Sequence, residues 1–506
     1  MIPTNAPALT PLLFLFTGLL IPLAAFKFRR LAYWLALSAT AAASAVALSN
    51  IFRVLDGRAI HYRFGGWPPP IGIEYVLDPL SAFVTSVINV IALIVLIHAR
   101  RTVEADLPQG KRVPYYALVM LMMSGFNGIV MTGDFFNLYV FLEICSLALY
   151  GLVAVGDRKS PVAAFRYLVL GMIGGCFYLL GVGFLYMSSG SLNMADLKAI
   201  LLVLGPRPGV IVALAFMLLG FGLKMALFPL HGWLPDAYTY APTATSSLMA
   251  PIGTKIGAYG LIRVLFFVFG LQFITQTVPV ATVIAWLSAA AILYGSIQAM
   301  AQDEMKRMLA FSSVAQVGYI GLGIGLANPW GLVGALLHVL NHGLMKACLF
   351  LVAGNFRMKL GHSRISRLDQ EARRRMPWTT AAFTLAALSM IGLPPTVGFF
   401  SKWYLAWGSI RNGSWVFLAV ILVSSLLNAV YFFRVVERLY LKPADRPPEA
   451  EKSGAAARVR SEVGASMLVP TLVLAAALLV VGLLNAFIVK GVLLKILPPG
   501  LAGMNP

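Results

Sequence analysis

The chain has 506 residues, 59% of them hydrophobic and only 11% charged. That is too apolar for a soluble protein of this length and points to an integral membrane protein. A net charge of +20 suggests nucleic acid at first sight, but the placement of the basic residues argues for a membrane topology signal instead, with no nucleic-acid partner.

Taken in chain order, apolar runs long enough to span a bilayer lie near residues 8–26, 31–52, 76–98, 114–131, 134–155, 161–187, 208–228, 243–267, 275–300, 306–326, 329–355, 378–408, 413–440 and 465–490, which makes fourteen. The N-terminus has no basic region and no small-residue cleavage pattern, so the first run is expected to stay as a helix. Of the 39 Lys and Arg residues, 25 fall in connections from an odd to an even span and eight in the even-to-odd connections and tails. The positive-inside rule then puts both termini outside the cell, in a plasma (inner) membrane of prokaryotic type, and the excess charge adds contact with anionic lipid. No soluble domain is visible. Gly361–Met376 and Lys442–Ser461 are the longest polar stretches, the second reading as a flexible cytoplasmic loop. Residues Asp56–Glu74, with Trp67-Pro68-Pro69-Pro70, read as an ordered external loop.

Two spans carry helix breakers. Lys224 is followed by Phe228-Pro229 and Trp233-Leu234-Pro235, while Gly392-Leu393-Pro394-Pro395 comes before Lys402. Proline removes a ladder hydrogen bond and clashes with the preceding turn, so both helices are predicted to break. Broken backbone at membrane depth survives only where protein or a wet cavity satisfies it, and paired breaks point to an inverted-repeat transporter. The breaks are five spans apart, which suggests two five-helix repeats of opposite topology. The expected division is an N-terminal three-helix segment at 1–113, repeats at 114–267 and 268–440, and a cytoplasmic loop with a last helix at 441–506.

Ionisable groups inside spans cost roughly 2.5–3.5 kcal/mol each on insertion scales, so they are read as functional by default. Glu143 and Lys224 stand alone in their spans and are natural partners; a static ion pair is the blander reading, and a weak stability device. Lys255 follows the first break at about mid-span. His338, His342 and Lys346 recur every four residues and stack on one helix face, as a proton relay would need. Lys402 lies just past the second break, with snorkelling as its alternative. Metal is a poor reading of His338 and His342, because HxxxH lacks the glutamate of HExxH and a nearby third ligand. His98 and His231 sit near span ends and fit a haem poorly. Asp78 reads equally as a cap or a transport residue. Ser312, Ser313, Gln316 and Asn428 read as packing glue, and Arg434 as interfacial. Cys145, Cys176 and Cys348 lie singly in apolar runs and read as small core hydrophobes. Nucleotide-binding loops and redox-centre ligands are missing in any interpretable context, so no cofactor is expected on this chain.

The stretches FNLYVFLEICSLALYGLVA, KMALFPLHGWLPDAYTYAPT, SVAQVGYI, LLHVLNHGLMKACLFLVAG and GLPPTVGFFSKWYL resemble the proton-conducting antiporter-like membrane subunits. That family includes the M-, N- and L-type subunits of respiratory complex I, the A- and D-type subunits of Mrp-type cation/proton antiporters, and related hydrogenase subunits. Length and wording are most similar to the D type. The resemblance implies fourteen helices with two inverted repeats, and a Glu143–Lys224 pair continued by Lys255, His338 and His342 and ended by Lys402. Lys346 joins them on helical spacing alone. It further implies partner subunits in a multisubunit complex and transport of protons, with Na⁺ as the candidate exchanged cation. The alternatives are a proton-pumping subunit of a redox-driven complex, whose redox centres lie in partner chains, and a scaffold whose buried charges only set packing.

Overall fold

Polar caps and prolines fix where each apolar run begins and ends in the computed structural model, which describes residues 5–156, 159–443 and 462–502. The third span, Pro79–Asp106, starts with Asp78 accepting from the Ser81 amide while Ser81 answers the Asp78 amide, a reciprocal capping box with proline at the first helical position. Asp134 and Asn328 cap the fifth and eleventh spans by accepting from the Asn137 and Gly331 amides. Among the described residues, thirteen helices are long and apolar enough to cross a membrane: Ala6–Ala24, Leu31–Val54, Pro79–Asp106, Gln109–Met131, Phe135–Ala154, Ser160–Ser189, Pro208–Met225, Thr243–Phe269, Val280–Met300, Met305–Gly325, Pro329–Leu360, Trp415–Tyr440 and Ala465–Leu483. The twelfth span is the broken pair Pro377–Ile391 and Val397–Arg411, which completes the fourteen and makes this an all-α integral membrane protein.

Both expected breaks are present. The seventh span stops at Met225, where Ala226 turns into the left-handed region (φ 60°), and helix resumes at Leu234–Tyr240. Trp233 Nε1 donates to the Leu223 carbonyl at 2.8 Å, serving a carbonyl near the helix end. Asp236, in the first turn after the break, accepts from Arg166 and Arg307 at 2.8 Å each, tying the sixth and tenth spans to this corner. In the twelfth span Gly392 (φ 96°) closes the first half-helix, a conformation a side chain would disfavour. The eighth span is not a regular α-helix either. It widens to π-helix at Met249–Gly253, around Pro251, and again at Arg263–Phe269.

Burial sorts centre from rim. The tenth span is buried along its whole apolar window, the eleventh over 94% and the eighth over 89%, against 33% for the thirteenth. The central helices read as apolar all round because protein surrounds them. The region Asp56–Glu74 is more ordered than a loop. Strand β1 (Ile60–Arg63) pairs antiparallel with β2 (Glu74–Leu77), and Glu74 accepts from Asn193 at 2.8 Å beside the fifth and sixth spans. Gly361–Met376 contains the short helix Gln370–Arg375. Most of the expected flexible loop Lys442–Ser461, residues 444–461, lies outside the described residues. Cys145 and Cys348 are buried as expected, but Cys176 is exposed on the sixth span, whose outer face is open to the surroundings.

Candidate functional site

Glu143 and Lys224 meet. The fifth span presents Glu143, and the seventh presents Lys224 one residue before its helix ends. Glu143 Oε1 lies 3.8 Å from Lys224 Nζ, an ion pair but not a hydrogen bond. The ammonium instead donates to Ser146 Oγ at 2.8 Å, one turn along the same helix, and Glu143 Oε1 has no hydrogen-bond partner. The carboxylate fits only because the facing residue on the sixth span is Gly175; a Cβ there would run into Glu143 Oε1. Beside the ammonium is a cavity of about 30 Å³, lined by Ser146, Lys224, Tyr167, Trp233, Gly253 and Gly257. A water needs about 10–15 Å³ by that measure, so one or two fit between Lys224 and the widened eighth span.

Lys255 is 1% exposed. Its Nζ donates to the carbonyl of Ala250, within the π-helical turn, at 2.7 Å and lies 3.4 Å from Thr254 Oγ1. On the eleventh span, His338 is held from two sides. Nδ1 is 2.9 Å from Ser401 Oγ and Nε2 is 3.0 Å from Gln316 Oε1. The Ser401 hydroxyl also has the Gly398 carbonyl within reach at 3.4 Å, so it can turn from donating to the imidazole to accepting from it when the ring is protonated. His342 stacks on His338 with ring centroids 5.7 Å apart, and neither of its nitrogens has a partner. Lys346, one turn on, donates to the Leu309 carbonyl at 2.7 Å and to Ser312 Oγ. Lys402 lies in the second half-helix of the broken twelfth span, and its ammonium reaches back to the end of the first. Its Nζ donates to the Met390 and Ile391 carbonyls at 2.9 Å each and to Ser425, and sits 5.1 Å from the Tyr319 ring centroid, whose ring neighbours His338. A cation at a half-helix C-terminus answers both the free carbonyls and the helix dipole. Among the described residues, Lys255, Lys346 and Lys402 form no ion pair with a carboxylate. Nor is there a group of three or more His, Cys, Asp or Glu residues able to hold a metal.

The structure thus buries Lys255, His338, His342, Lys346 and Lys402, leaves the side chains of Glu143 and Lys224 17% and 11% exposed, and joins that pair directly. His338, Tyr319 and Lys402 form one contact chain. The eighth span, which carries Lys255, packs on the eleventh beside His342, where a Cβ on Gly343 would lie 3.4 Å from the Pro251 carbonyl.

Comparison with known proteins settles the family. The family model described as NADH:quinone oxidoreductase/Mrp antiporter, TM, matches residues 132–428, which include all seven residues. The N-type subunit of the NADH-quinone oxidoreductase of Desulforudis audaxviator is 50% identical over 463 residues, 91% of each chain. The chain belongs to the NADH:quinone oxidoreductase/Mrp antiporter family. The D-type subunit of the Na⁺/H⁺ antiporter of Bacillus subtilis is 32% identical over 372 residues, 73% of this chain and 74% of its own. Among solved structures, a chain of the Mrp complex from a Dietzia species superposes with TM-score 0.86 at 25% identity, covering 99% of this chain and 98% of its own. A chain of the membrane-bound sulfane sulfur reductase, an archaeal respiratory membrane complex, gives 0.87 at 28%, covering 97% of each.

For this family member, sequence reasoning undervalued the residues that hold the bases. Gln316 and Ser312, read as packing glue, grip His338 and Lys346. Ser146 and Ser401 were not singled out, although one lies three residues from Glu143 and the other beside Lys402. Asn428 and Arg434 do act as helix glue, on the Met390 and Met300 carbonyls. Asp78 does more than cap. It takes a two-pronged ion pair from Arg263, at 2.5 and 2.9 Å, and Arg263 also donates to Tyr259 Oη. Burial alone would raise the Asp78 carboxyl; the Arg263 guanidinium and the Ser81 hydrogen bonds outweigh it and hold the carboxyl below its usual range.

Proposed function

We propose that this chain is the proton-carrying membrane subunit of a multisubunit complex, most simply a Mrp-type monovalent cation/proton antiporter. The observation that carries this reading is the position of Lys224, an ammonium shared between a carboxylate it does not hydrogen-bond and a hydroxyl it does, next to a water-sized cavity. Two unit charges at 3.8 Å attract by about 4 kcal/mol at an effective dielectric near 20. Closing the pair onto Glu143 or opening it toward the cavity therefore changes how firmly Lys224 keeps its proton. Released through the cavity, the proton passes to Lys255, along the His342 and His338 stripe beside Lys346, and to Lys402. The Ser401 hydroxyl accommodates either state of His338 by rotating. The two helix breaks give the route its ends, in repeats at 114–267 and 268–440 flanked by the segments 1–113 and 441–506. The distribution of basic connections supports a plasma (inner) membrane setting with both termini outside.

The second reading is a pumping subunit of a redox-driven complex, and the 50% identical relative from an NADH-quinone oxidoreductase favours it. Redox centres would lie in partner chains. Proteoliposomes of the whole complex separate the two. Proton flux that follows an imposed Na⁺ gradient supports the antiporter, flux that needs an electron donor supports the redox pump, and flux unaffected by Glu143→Gln or Lys224→Met in assembled complex refutes both in favour of a scaffold.

A further inference from the structure

His98, on the third span, lies outside the seven residues above. It is fully buried, and so are Asn355 on the eleventh span, Thr379 on the twelfth and Thr471 on the fourteenth. A hydrogen-bonded chain joins them to Glu462, which precedes the fourteenth span. Thr379 Oγ1 donates to Glu462 Oε1 at 2.7 Å, and the same carboxylate takes the Trp378 and Thr379 amides at the start of the twelfth span. Thr471 Oγ1 donates to the Met467 carbonyl at 2.9 Å. Both hydroxyl protons are thus committed to groups that only accept. Asn355 must therefore turn its NH₂ to the two threonines, at 3.4 and 3.2 Å, and its carbonyl to His98 Nε2, at 2.8 Å. Nε2 then has to donate, and the neutral ring keeps its lone pair on Nδ1.

That Nδ1 has no partner, although it is buried. Such atoms are rare unless a water or a proton serves them. A second buried atom without a partner lies in the same region: Ser247 Oγ of the eighth span. Gly354 links the two elements, because a Cβ there would sit 3.5 Å from His98 Cε1 and closer still to the Thr243 methyl. Ser247 is one turn beyond Thr243, and Ala250, whose carbonyl holds Lys255, is three residues further. Asp106, at the end of the third span, accepts from the Thr243 amide at 2.9 Å.

We infer that His98 is a proton-accepting station leading to Lys255, its tautomer set by Glu462 through Thr379 and Asn355, and its Nδ1 joined to Ser247 by water. A proton arriving at Nδ1 makes the imidazolium; the same nitrogen releases one toward Ser247, and the Nε2 proton stays on the ring, donated to the Asn355 carbonyl throughout. This rests on the proposed proton transport but names a route separate from the Glu143–Lys224 pair.

The test uses the whole complex. A difference spectrum from ¹⁵N-histidine solid-state NMR, wild type minus His98→Gln, should show a neutral Nε2–H ring; an Nδ1–H ring overturns the inference whatever the flux. Given that tautomer, flux decides. His98→Gln is expected to assemble and lose proton flux by about tenfold or more, and Ser247→Ala to lose it several-fold. Wild-type flux in both overturns the inference. If His98→Gln fails to assemble, the tautomer is read from wild-type complex labelled in this subunit alone and Ser247→Ala decides the flux. Glu143→Gln, run in parallel, keeps the two ideas apart: flux lost there but kept in the His98 and Ser247 variants sinks only the His98 route, whereas flux kept in Glu143→Gln sinks the transport reading itself.

Discussion

Replacing Glu143 by Gln preserves shape and removes one charge 3.8 Å from Lys224. The attraction lost is about 4 kcal/mol at an effective dielectric near 20, on the order of a thousandfold in any equilibrium that depends on closing the pair. Lys224 keeps its 2.8 Å bond to Ser146 and so remains anchored in the open position. The expected result is assembled complex with proton flux reduced by two to three orders of magnitude, roughly in line with that bias. Glu143→Asp draws the carboxylate back by about one carbon–carbon bond, roughly 1.5 Å. At the longer separation about 3 kcal/mol survives, so this variant should retain a measurable fraction of the flux. Everted vesicles with a pH-sensitive dye measure the flux, and native gels verify assembly. A Gln variant that pumps like wild type, or an Asp variant worse than Gln, refutes the electrostatic argument.

Gly175→Ala should push the Glu143 carboxylate aside and lower flux several-fold without dissociating the complex, since the atom met is the end of a flexible side chain; wild-type flux would show that the carboxylate position does not matter. Lys402→Met removes a cation from a half-helix end, worth only about 0.3–1 kcal/mol of stability, so thermal unfolding should barely move while flux falls at least tenfold; a large loss of stability with flux intact would make Lys402 structural. Asp78→Asn strands the buried Arg263 guanidinium and should cost about 3–5 kcal/mol, read as a lower unfolding temperature of the detergent-solubilised complex. Because the Asp78 carboxyl is held below its usual 3.8, its contribution is fully present above that value and disappears only as pH falls through the depressed one. Wild-type stability should therefore hold down to about pH 4 at this contact, and a loss already at pH 6 would contradict the assignment.

Spans and breaks were legible in the sequence because lipid leaves little choice: long apolar runs must be helices, and prolines must interrupt them. The Glu143–Lys224 pairing was legible because Glu143 is the carboxylate that stands in the middle of an apolar run. Partners on distant spans were harder. Nothing in the sequence joins Arg263 to Asp78, 185 residues away. Gln316 and Ser312 look like ordinary polar glue until the eleventh span turns His338 and Lys346 toward them. In the sequence His98 closes an apolar run; the third span runs on to Asp106 and the fourteenth packs over it, so the ring is buried.

Lys224, Lys255, Lys346 and Lys402 share a single carboxylate, Glu143, and three of the four rest on main-chain carbonyls, Lys224 excepted. Carbonyl dipoles can steady an ammonium but cannot cancel its charge. A full load would leave three uncompensated positive charges in a low-dielectric interior, each repelling the next. The proposed path would therefore work by alternating occupancy, with a station free to fill only after its neighbour has emptied. On the proposed route, conduction would therefore advance in discrete strokes and not as the steady current of an open pore.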